Sequence, residues 1–219
     1  MRSIVPILAL SALLSGCVDL PGSDRKQSSV RNSTTVFSSS PSARQCLAEL
    51  GSTRADFTPK PDRYASGGCS ALNTVSLSSV MSDHRPVATT NLSSVGCPAA
   101  TTFAGWARYG VDRAARQILG SPLARIETFG SYNCRNVAGT SRRSAHATAA
   151  AIDVSAFVLR DGRRITVLDG WNGSSSERQF LRVVHQSACK RFGTVLGPNY
   201  NRAHANHFHL EAKSGSFCR

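Results

Sequence analysis

Long apolar runs, acidic residues and closely spaced cysteine pairs are scarce or missing in this chain. No segment reaches the roughly 20 apolar residues of a membrane-spanning helix, which excludes an ordinary transmembrane helix. No Cys-x-x-Cys pair is present, which argues against a zinc site built from cysteines. Only 13 acidic residues stand against 26 basic ones, so the formal charge is +13 and anionic partners are expected.

The chain start predicts export and a lipid anchor. The apolar run from Ile4 to Leu14 follows the basic Met1-Arg2 and has the length of a signal-peptide core. It ends in Leu14-Ser15-Gly16-Cys17, which resembles the lipobox of bacterial lipoproteins. Residues 1–16 are therefore interpreted as a signal peptide and Cys17 as the lipidated residue. The alternative is an ordinary secretory signal followed by a chance cysteine.

The expected location is the cell envelope, with the protein anchored in the membrane through the lipid on Cys17. Val18 follows the cysteine instead of Asp, which by the sorting pattern of Gram-negative lipoproteins predicts the outer membrane, facing the periplasm. Cleavage would remove one charged residue, Arg2, leaving 13 − 1 = +12.

The positive charge suggests lipopolysaccharide, anionic lipid headgroups or the carboxylates of peptidoglycan as partners. A basic surface that is merely solvated is the alternative. The sequence has none of the aromatic motifs, basic helices or zinc-finger spacings of nucleic-acid-binding proteins, so no nucleic acid is expected as a partner.

Six cysteines remain once Cys17 is assigned to the lipid. An even number in an oxidising compartment predicts three disulfides, for which 15 pairings are possible. The simplest expectation is sequential pairing: Cys46–Cys69, Cys97–Cys134 and Cys189–Cys218.

The hydrophobic pattern predicts a flexible tether over residues 17–41 and one folded domain over 42–219, with no internal repeat. A few strands and segregated helices favour an α+β fold with a small antiparallel sheet and helices packed on it. Helices are expected over 43–50, over 98–119 and from a capping box at Ser176 to Phe192. Strands are expected over 74–77, 125–132, 151–159, 164–168 and 207–212.

Histidines and one aspartate suggest a metal site formed by two separate segments. His204, His207 and His209 lie close together, and His146 precedes Asp153 by seven residues. In a strand over 207–212, His207, His209 and Glu211 share one face because side chains alternate. His146 and Asp153 would face opposite ways in a straight strand, so residues 147–151 must bend. Each signal is weak alone; together they predict a metal site with three protein ligands.

Several motifs from about Cys46 to Arg219 resemble the bacterial extensin-like C-terminal domain family. They include GSYNCR, AIDVSAFVLRDGRRITVLDGW, FLRVVHQSACKRFGTVLGPNYNRAHANHFHLE and the terminal FCR. The combination His-x6-Asp followed by His-x-His is similar to zinc D-Ala-D-Ala peptidases and murein endopeptidases, which share a fold with the hedgehog N-terminal domain. This resemblance implies one Zn²⁺ ion held by His146, Asp153 and His209. It also implies that His207 lines the site and that Arg135 contacts a substrate carboxylate or carbonyl.

The chain also departs from the peptidase pattern. Where many of these peptidases have Glu or Asp as general base, this chain has Asn206. Ala145 stands where extensin-like domains often carry Glu, and Ala149 where Gly is usual. His207 or His204 could replace the base because imidazole titrates near neutral pH. Glu211 is a second candidate for that role, or else supports the site from behind.

The expected function is that of a monomeric zinc-dependent peptidase acting on peptidoglycan stem peptides, of DD or LD type. Zinc in such a site activates water as the nucleophile. The alternative is a non-catalytic, zinc-stabilised cell-wall-binding lipoprotein with the same fold, which the missing acidic base favours.

Overall fold

The computed structural model describes residues 36–212 and 215–219. The predicted signal peptide, Cys17 and most of the predicted tether lie outside the described residues. The last predicted tether residues are described: the Ser38 hydroxyl donates to the Asp62 carboxylate at 2.7 Å. Among the described residues, no helix is long and apolar enough to cross a membrane.

All but one of the described α-helices match the predicted helical regions; the exception is the short helix Val167–Gly170. The described α-helices are α1 Pro41–Ser52, α2 Cys97–Trp106, α3 Arg113–Leu119, α4 Val167–Gly170 and α5 Ser175–Cys189. A π-helical stretch, Ala107–Asp112, joins α2 to α3, so the predicted helix over 98–119 is continuous but locally wider. The capping box of α5 is formed by Ser174 and Glu177, two residues earlier than predicted.

The described strands form a mixed sheet of ten strands and a separate two-stranded ribbon, β2–β3. They are β1 Asp56–Pro59, β2 Arg63–Ala65, β3 Cys69–Ala71, β4 Thr74–Met81, β5 Pro86–Thr89, β6 Val95–Gly96, β7 Leu123–Gly130, β8 Ala151–Leu159, β9 Arg164–Thr166, β10 Thr194–Leu196, β11 Phe208–Glu211 and β12 Phe217–Cys218. The order is β1-β4-β5-β7-β8-β11-β10-β12, with β6 beside β4 and β9 beside β8.

The prediction of a small antiparallel sheet was wrong in size and in strand direction. The pairs β5–β7 and β10–β12 are parallel, while the other pairs are antiparallel. The short strands β5, β6, β10 and β12 have two to four residues each, too few for a recognisable alternation of apolar and polar residues. The predicted strand over 164–168 ends at Thr166, and α4 follows directly.

An aromatic cluster joins the helices to the centre of the sheet. Trp106 of α2 packs against Phe157 of β8, and Phe157 packs in turn against Phe180 of α5, with ring centroids 6.1 and 5.2 Å apart. The indole nitrogen of Trp106 donates to the carbonyl of Val184 at 3.0 Å, so this fully buried ring has no unpaired donor. Strand β8 is therefore paired with β7 and β11 in the sheet and packed against helices α2 and α5.

Three disulfides are present, but two of the expected pairings were wrong. The pairs are Cys46–Cys97, Cys69–Cys134 and Cys189–Cys218. Only the last agrees with sequential pairing. Helix α1 packs against α2, which brings Cys46 to the first residue of α2 with 6.1 Å between the Cα atoms. Cys69 lies in β3, next to the loop that carries Cys134. Tertiary packing, and not order along the chain, selects the partners.

Candidate metal centre

The register of two neighbouring strands places Asp153 directly opposite His209. Strands β8 and β11 are antiparallel, and Asp153 and His209 are aligned residues in their pairing. Side chains of such a cross-strand pair lie on the same face, close together. Phe208 and Leu210 face the other way and are fully buried. The alternation predicted for this segment is therefore confirmed.

A bend before β8 brings His146 to the same place. Residues Ala145–Thr148 form a single 3-10 turn, capped by the side chain of Ser144. The next residue, Ala149, has a φ of +55°, in the left-handed region that residues other than glycine seldom adopt. This residue reverses the chain into β8, so the bend expected over residues 147–151 is present.

The three side chains form a group that could hold a metal ion. Their potential ligand atoms all lie within 4.8 Å of one another, and all three residues are buried. The Asp153 carboxylate is 3.1 Å from His146 Nε2 and 2.9 Å from His209 Nδ1. The two imidazole nitrogens are 3.1 Å apart.

Hydrogen bonds on the outer side of each ring determine which nitrogen faces the centre. His146 Nδ1 lies 2.5 Å from the carbonyl oxygen of Ser131, which can only accept, so Nδ1 donates. His209 Nε2 lies 2.9 Å from the Glu211 carboxylate and donates to it. In the neutral rings, His146 Nε2 and His209 Nδ1 are thus left with lone pairs directed at Asp153. Three electron-pair donors that converge in a buried place repel one another unless a proton or a metal ion lies between them, so the group is suited to bind a cation.

The ionisation of the metal-free centre follows the same logic. Burial would raise the pKa of Asp153, but the contacts with His146 and His209 outweigh it and hold that pKa well below its usual range. Burial would lower the pKa of His209, but hydrogen bonds to Asp153 and Glu211 raise the pKa to about 9. At neutral pH, in the absence of a metal ion, both ring nitrogens of His209 are therefore protonated and the ring is positively charged.

His207 lies at the open side of the centre. Its Nε2 is 3.6 Å from the Asp153 carboxylate, and its Nδ1 donates to the side-chain oxygen of Asn206 at 2.8 Å. Burial is the main cause that lowers the pKa of His207, against the opposing charge of Asp153. A neutral His207 with Nδ1 protonated presents the Nε2 lone pair toward the centre.

His204 and Arg135 border the same opening. The His204 ring is 5.0 Å from that of His207 and 5.8 Å from that of His209. Burial, followed by the neighbouring imidazoles, lowers the pKa of His204 to about 4. Arg135 is exposed, and its positive charge also contributes to lowering the pKa of both His204 and His207. The structure thus brings His204, His207 and Arg135 close to the group of His146, Asp153 and His209.

Glu211 does not lie at the opening. Its carboxylate binds the outer nitrogen of His209, which supports the alternative in which this residue holds a ligand from behind. The carbonyl of Ser131 has the same function for His146, and sequence reasoning missed it because a backbone atom carries no residue-specific signal. The sequence showed Asn206 only as a residue that cannot act as the general base. In the structure its side-chain oxygen accepts a hydrogen bond from His207 and orients that ring.

A second group in the described residues, His185, Cys189 and Cys218, also has closely spaced potential ligand atoms. Its two cysteines are joined in a disulfide, so neither sulfur is available as a thiolate ligand. This group is therefore not a metal site in the oxidised protein.

Comparison with known proteins gives one match. The family described as extensin-like protein C-terminus matches residues 44–219. No curated protein matches the chain. No solved structure matches it either. Since the matched region includes His146, Asp153 and His209 and most of the chain, the protein belongs to the extensin-like protein C-terminus family.

Proposed function

We propose that this protein is a zinc-dependent peptidase that cleaves the stem peptides of peptidoglycan in the cell envelope. The observation that carries the proposal is the convergence of two imidazole nitrogens and one carboxylate on a buried point beside an open, histidine-lined face. Three protein ligands with one remaining open position are the usual composition of a catalytic zinc site.

The residues present fit a zinc ion. His146, Asp153 and His209 would hold it, and the hydrogen bonds that the two rings donate to the Ser131 carbonyl and to Glu211 fix them in the orientation that a ligand needs. When bound, zinc supplies Lewis acidity toward a carbonyl and lowers the pKa of water to about 7. A centre of nitrogen and oxygen donors without thiolates is compatible with other divalent ions too, so metal analysis is part of the test.

His207 is the proposed general base and acid. Its Nε2 faces the centre, and its lowered pKa keeps the ring neutral at pH 7, able to accept a proton. Asn206 accepts a hydrogen bond from Nδ1 of His207 and so fixes the ring. Asn206 cannot accept a proton as a base, but it positions His207, which can. His204, in ring contact with His207, is placed to pass the proton onward toward solvent.

Arg135 is proposed to bind a carboxylate of the stem peptide. The guanidinium is exposed beside His204 and His207, and two parallel N–H groups match a carboxylate. A stem peptide held there would present an amide carbonyl to the metal centre. The proposal covers peptidases of both DD and LD type.

The His-x6-Asp and His-x-His spacing also supports a relation to the zinc D-Ala-D-Ala peptidases, the murein endopeptidases and the hedgehog fold. The proposed location is the envelope, with Cys17 lipidated and the domain facing the periplasm if the source is Gram-negative. Six cysteines paired as disulfides support an oxidising compartment.

A non-catalytic, zinc-stabilised wall-binding protein is the second candidate. The observation that favours it is Asn206, because its amide occupies the position of an acidic base and is already bonded to His207. In this case zinc would hold the bend before β8 against β11, and no bond would be cut.

The first experiment is metal analysis of the purified domain, followed by digestion of muropeptides with and without a chelator. We expect about one zinc ion per chain and cleavage that the chelator abolishes. The His146→Ala variant should lose both zinc and cleavage. His84→Ala, which replaces an exposed histidine outside the centre, is the matched control and should retain both.

The outcomes separate the candidates. Cleavage that survives both the chelator and His146→Ala would contradict the peptidase mechanism. Stoichiometric zinc without cleavage of any muropeptide would support the wall-binding protein. A folded protein that binds no divalent ion would eliminate both.

A further inference from the structure

Five rings beside the metal centre form an unbroken series of ring-to-ring contacts. We call this series the aromatic arc: Phe129, His207, His204, Tyr200 and Phe217. Successive ring centroids lie 5.7, 5.0, 5.4 and 5.9 Å apart. The arc begins at the end of β7, passes over His209 and ends at the edge strand β12, so it extends to both sides of the centre.

The outer members of the arc are unusually exposed for aromatic residues. Phe129 is 58% exposed, Tyr200 43% and Phe217 45%. Large apolar side chains that are exposed singly need no explanation, but exposed rings aligned beside a candidate site indicate a binding surface. None of the three rings belongs to the buried core.

The surroundings of the aromatic arc are polar and positively charged. Segments 129–146 and 197–210, which contain four of the five rings, carry Arg135, Arg142, Arg143 and Arg202 and no Asp or Glu. The two carboxylates of the centre, Asp153 and Glu211, are both bonded to His209. The guanidinium of Arg219 lies over the Phe217 ring at 5.4 Å. This charge distribution favours an anionic ligand.

Two amide side chains extend the polar character next to the rings. The oxygen of Asn201 accepts from His204 Nδ1, and that of Asn206 accepts from His207 Nδ1. In this described part of the chain, the two exposed NH₂ groups are left to donate to a ligand. Aromatic faces combined with amide donors suit a hydroxyl-rich ring better than an aliphatic peptide, because sugar C–H groups pack on the electron-rich face while the hydroxyls accept hydrogen bonds.

We propose that the aromatic arc binds the glycan strand of peptidoglycan where its lactyl groups carry free carboxylates because no stem peptide is attached to them. This rests on the proposed function, which it deepens: the metal centre would act on stem peptides while the arc holds a peptide-free stretch of the same strand. Because the arc contains five rings, it is longer than one sugar, and affinity should rise with strand length.

The test measures binding of the purified domain to peptidoglycan glycan strands that an amidase has stripped of stem peptides. We expect Phe129→Ala, Tyr200→Ala and Phe217→Ala each to weaken binding by about three- to tenfold, the usual worth of one aromatic contact. Tyr64→Ala and Phe37→Ala, which remove exposed rings outside the aromatic arc, are the matched controls and should change binding less than twofold. Neutral chitin oligosaccharides of equal length should bind more weakly than the glycan strands.

Unchanged affinity in the arc variants, or equal loss in the two controls, would overturn the proposal. Equal affinity for neutral chitin would overturn the requirement for carboxylates. His146→Ala separates the two proposals, since it should abolish cleavage and retain strand binding. Cleavage without strand binding would contradict only the proposal for the aromatic arc. Strand binding without cleavage would contradict only the proposed peptidase function.

Discussion

At the scale of single residues, the centre depends on groups behind the two imidazole rings. Glu211 and the Ser131 carbonyl each accept a hydrogen bond from an outer imidazole nitrogen, so in the neutral rings the inner nitrogens of His209 and His146 are acceptors. Asn206 does the same for His207, whose Nε2 then faces Asp153. Three hydrogen bonds, to Ser131, Glu211 and Asn206, therefore decide which ring nitrogens face Asp153.

We predict that zinc affinity increases with pH up to about 9 and is nearly constant above that value. Below it, the ion must displace a proton from His209, because the pKa of the metal-free ring is raised to about 9. The Glu211→Gln variant removes one of the two carboxylates that raise this pKa, so the plateau should begin at lower pH. Loss of the same hydrogen-bond partner should weaken affinity at the plateau by about 10- to 100-fold.

Competition with a chelating dye over pH 6 to 10 would measure both effects. Glu49→Gln, which changes an exposed carboxylate on α1, should behave as the unaltered protein does. A pH profile that is identical in Glu211→Gln and in the unaltered protein would contradict the role assigned to Glu211.

At the scale of elements, one bend and one strand pairing bring the ligands together. The antiparallel register of β8 and β11 aligns Asp153 with His209, and Gly130 of β7 faces Asp153 from the other side without a side chain. The 3-10 turn that carries His146 enters β8 through Ala149, whose carbonyl also accepts the Gly96 amide at 2.8 Å. The bend is therefore fixed both by its left-handed residue and by its neighbours.

We predict effects of different size on the free energy of unfolding for two substitutions at Ala149. Ala149→Val places a β-branched side chain in the left-handed region of a fully buried site, and should lower the free energy of unfolding by about 2 kcal/mol or more. Ala149→Gly removes the backbone strain but also a buried methyl group, so its effect should remain within about 1 kcal/mol. Urea denaturation measures both. A stable Ala149→Val variant with full zinc affinity would show that the bend tolerates another conformation.

At the scale of the whole molecule, disulfides secure the periphery around a ten-stranded sheet. Cys46–Cys97 joins α1 to α2, and Cys69–Cys134 joins the ribbon β2–β3 to the loop between β7 and the His146 turn. That loop carries Ser131 and Arg135, so the second disulfide restrains groups that touch the site. Closed loops of 51 and 65 residues also restrict the unfolded chain strongly.

We predict that the double variant Cys69→Ser, Cys134→Ser loses about 2–5 kcal/mol of stability and also binds zinc more weakly. The second effect is expected because the loop that supplies the Ser131 carbonyl is no longer tied to β3. Cys189→Ser with Cys218→Ser is the comparison: it should lose stability while zinc affinity is retained. Thermal unfolding and zinc titration on both variants test this, and equal loss of zinc affinity in both would refute it.

The spacing of the histidines and Asp153 was sufficient to predict that His146, Asp153 and His209 come together, and the motifs were sufficient to predict the family. His-x-His at the period of a strand determines that His209 and Glu211 share a face, and the seven-residue step from His146 to Asp153 requires a bend. Long periodic segments such as α5 and β8 were likewise predictable, because burial of one face imposes a repeat that the sequence records. The described residues contain both features, with α5 beginning slightly earlier than its pattern indicated.

The disulfide partners, the size and strand directions of the sheet, the hydrogen bonds behind the rings and the aromatic arc were decided only by tertiary structure. Each depends on contacts between segments far apart in the chain, as Cys46 with Cys97 or Phe129 with His207. Local pattern carries no record of such contacts, since short strands, backbone carbonyls and exposed rings have the same local sequence whatever they touch. Distance in space, which the packing of helices against the sheet sets, determines their partners.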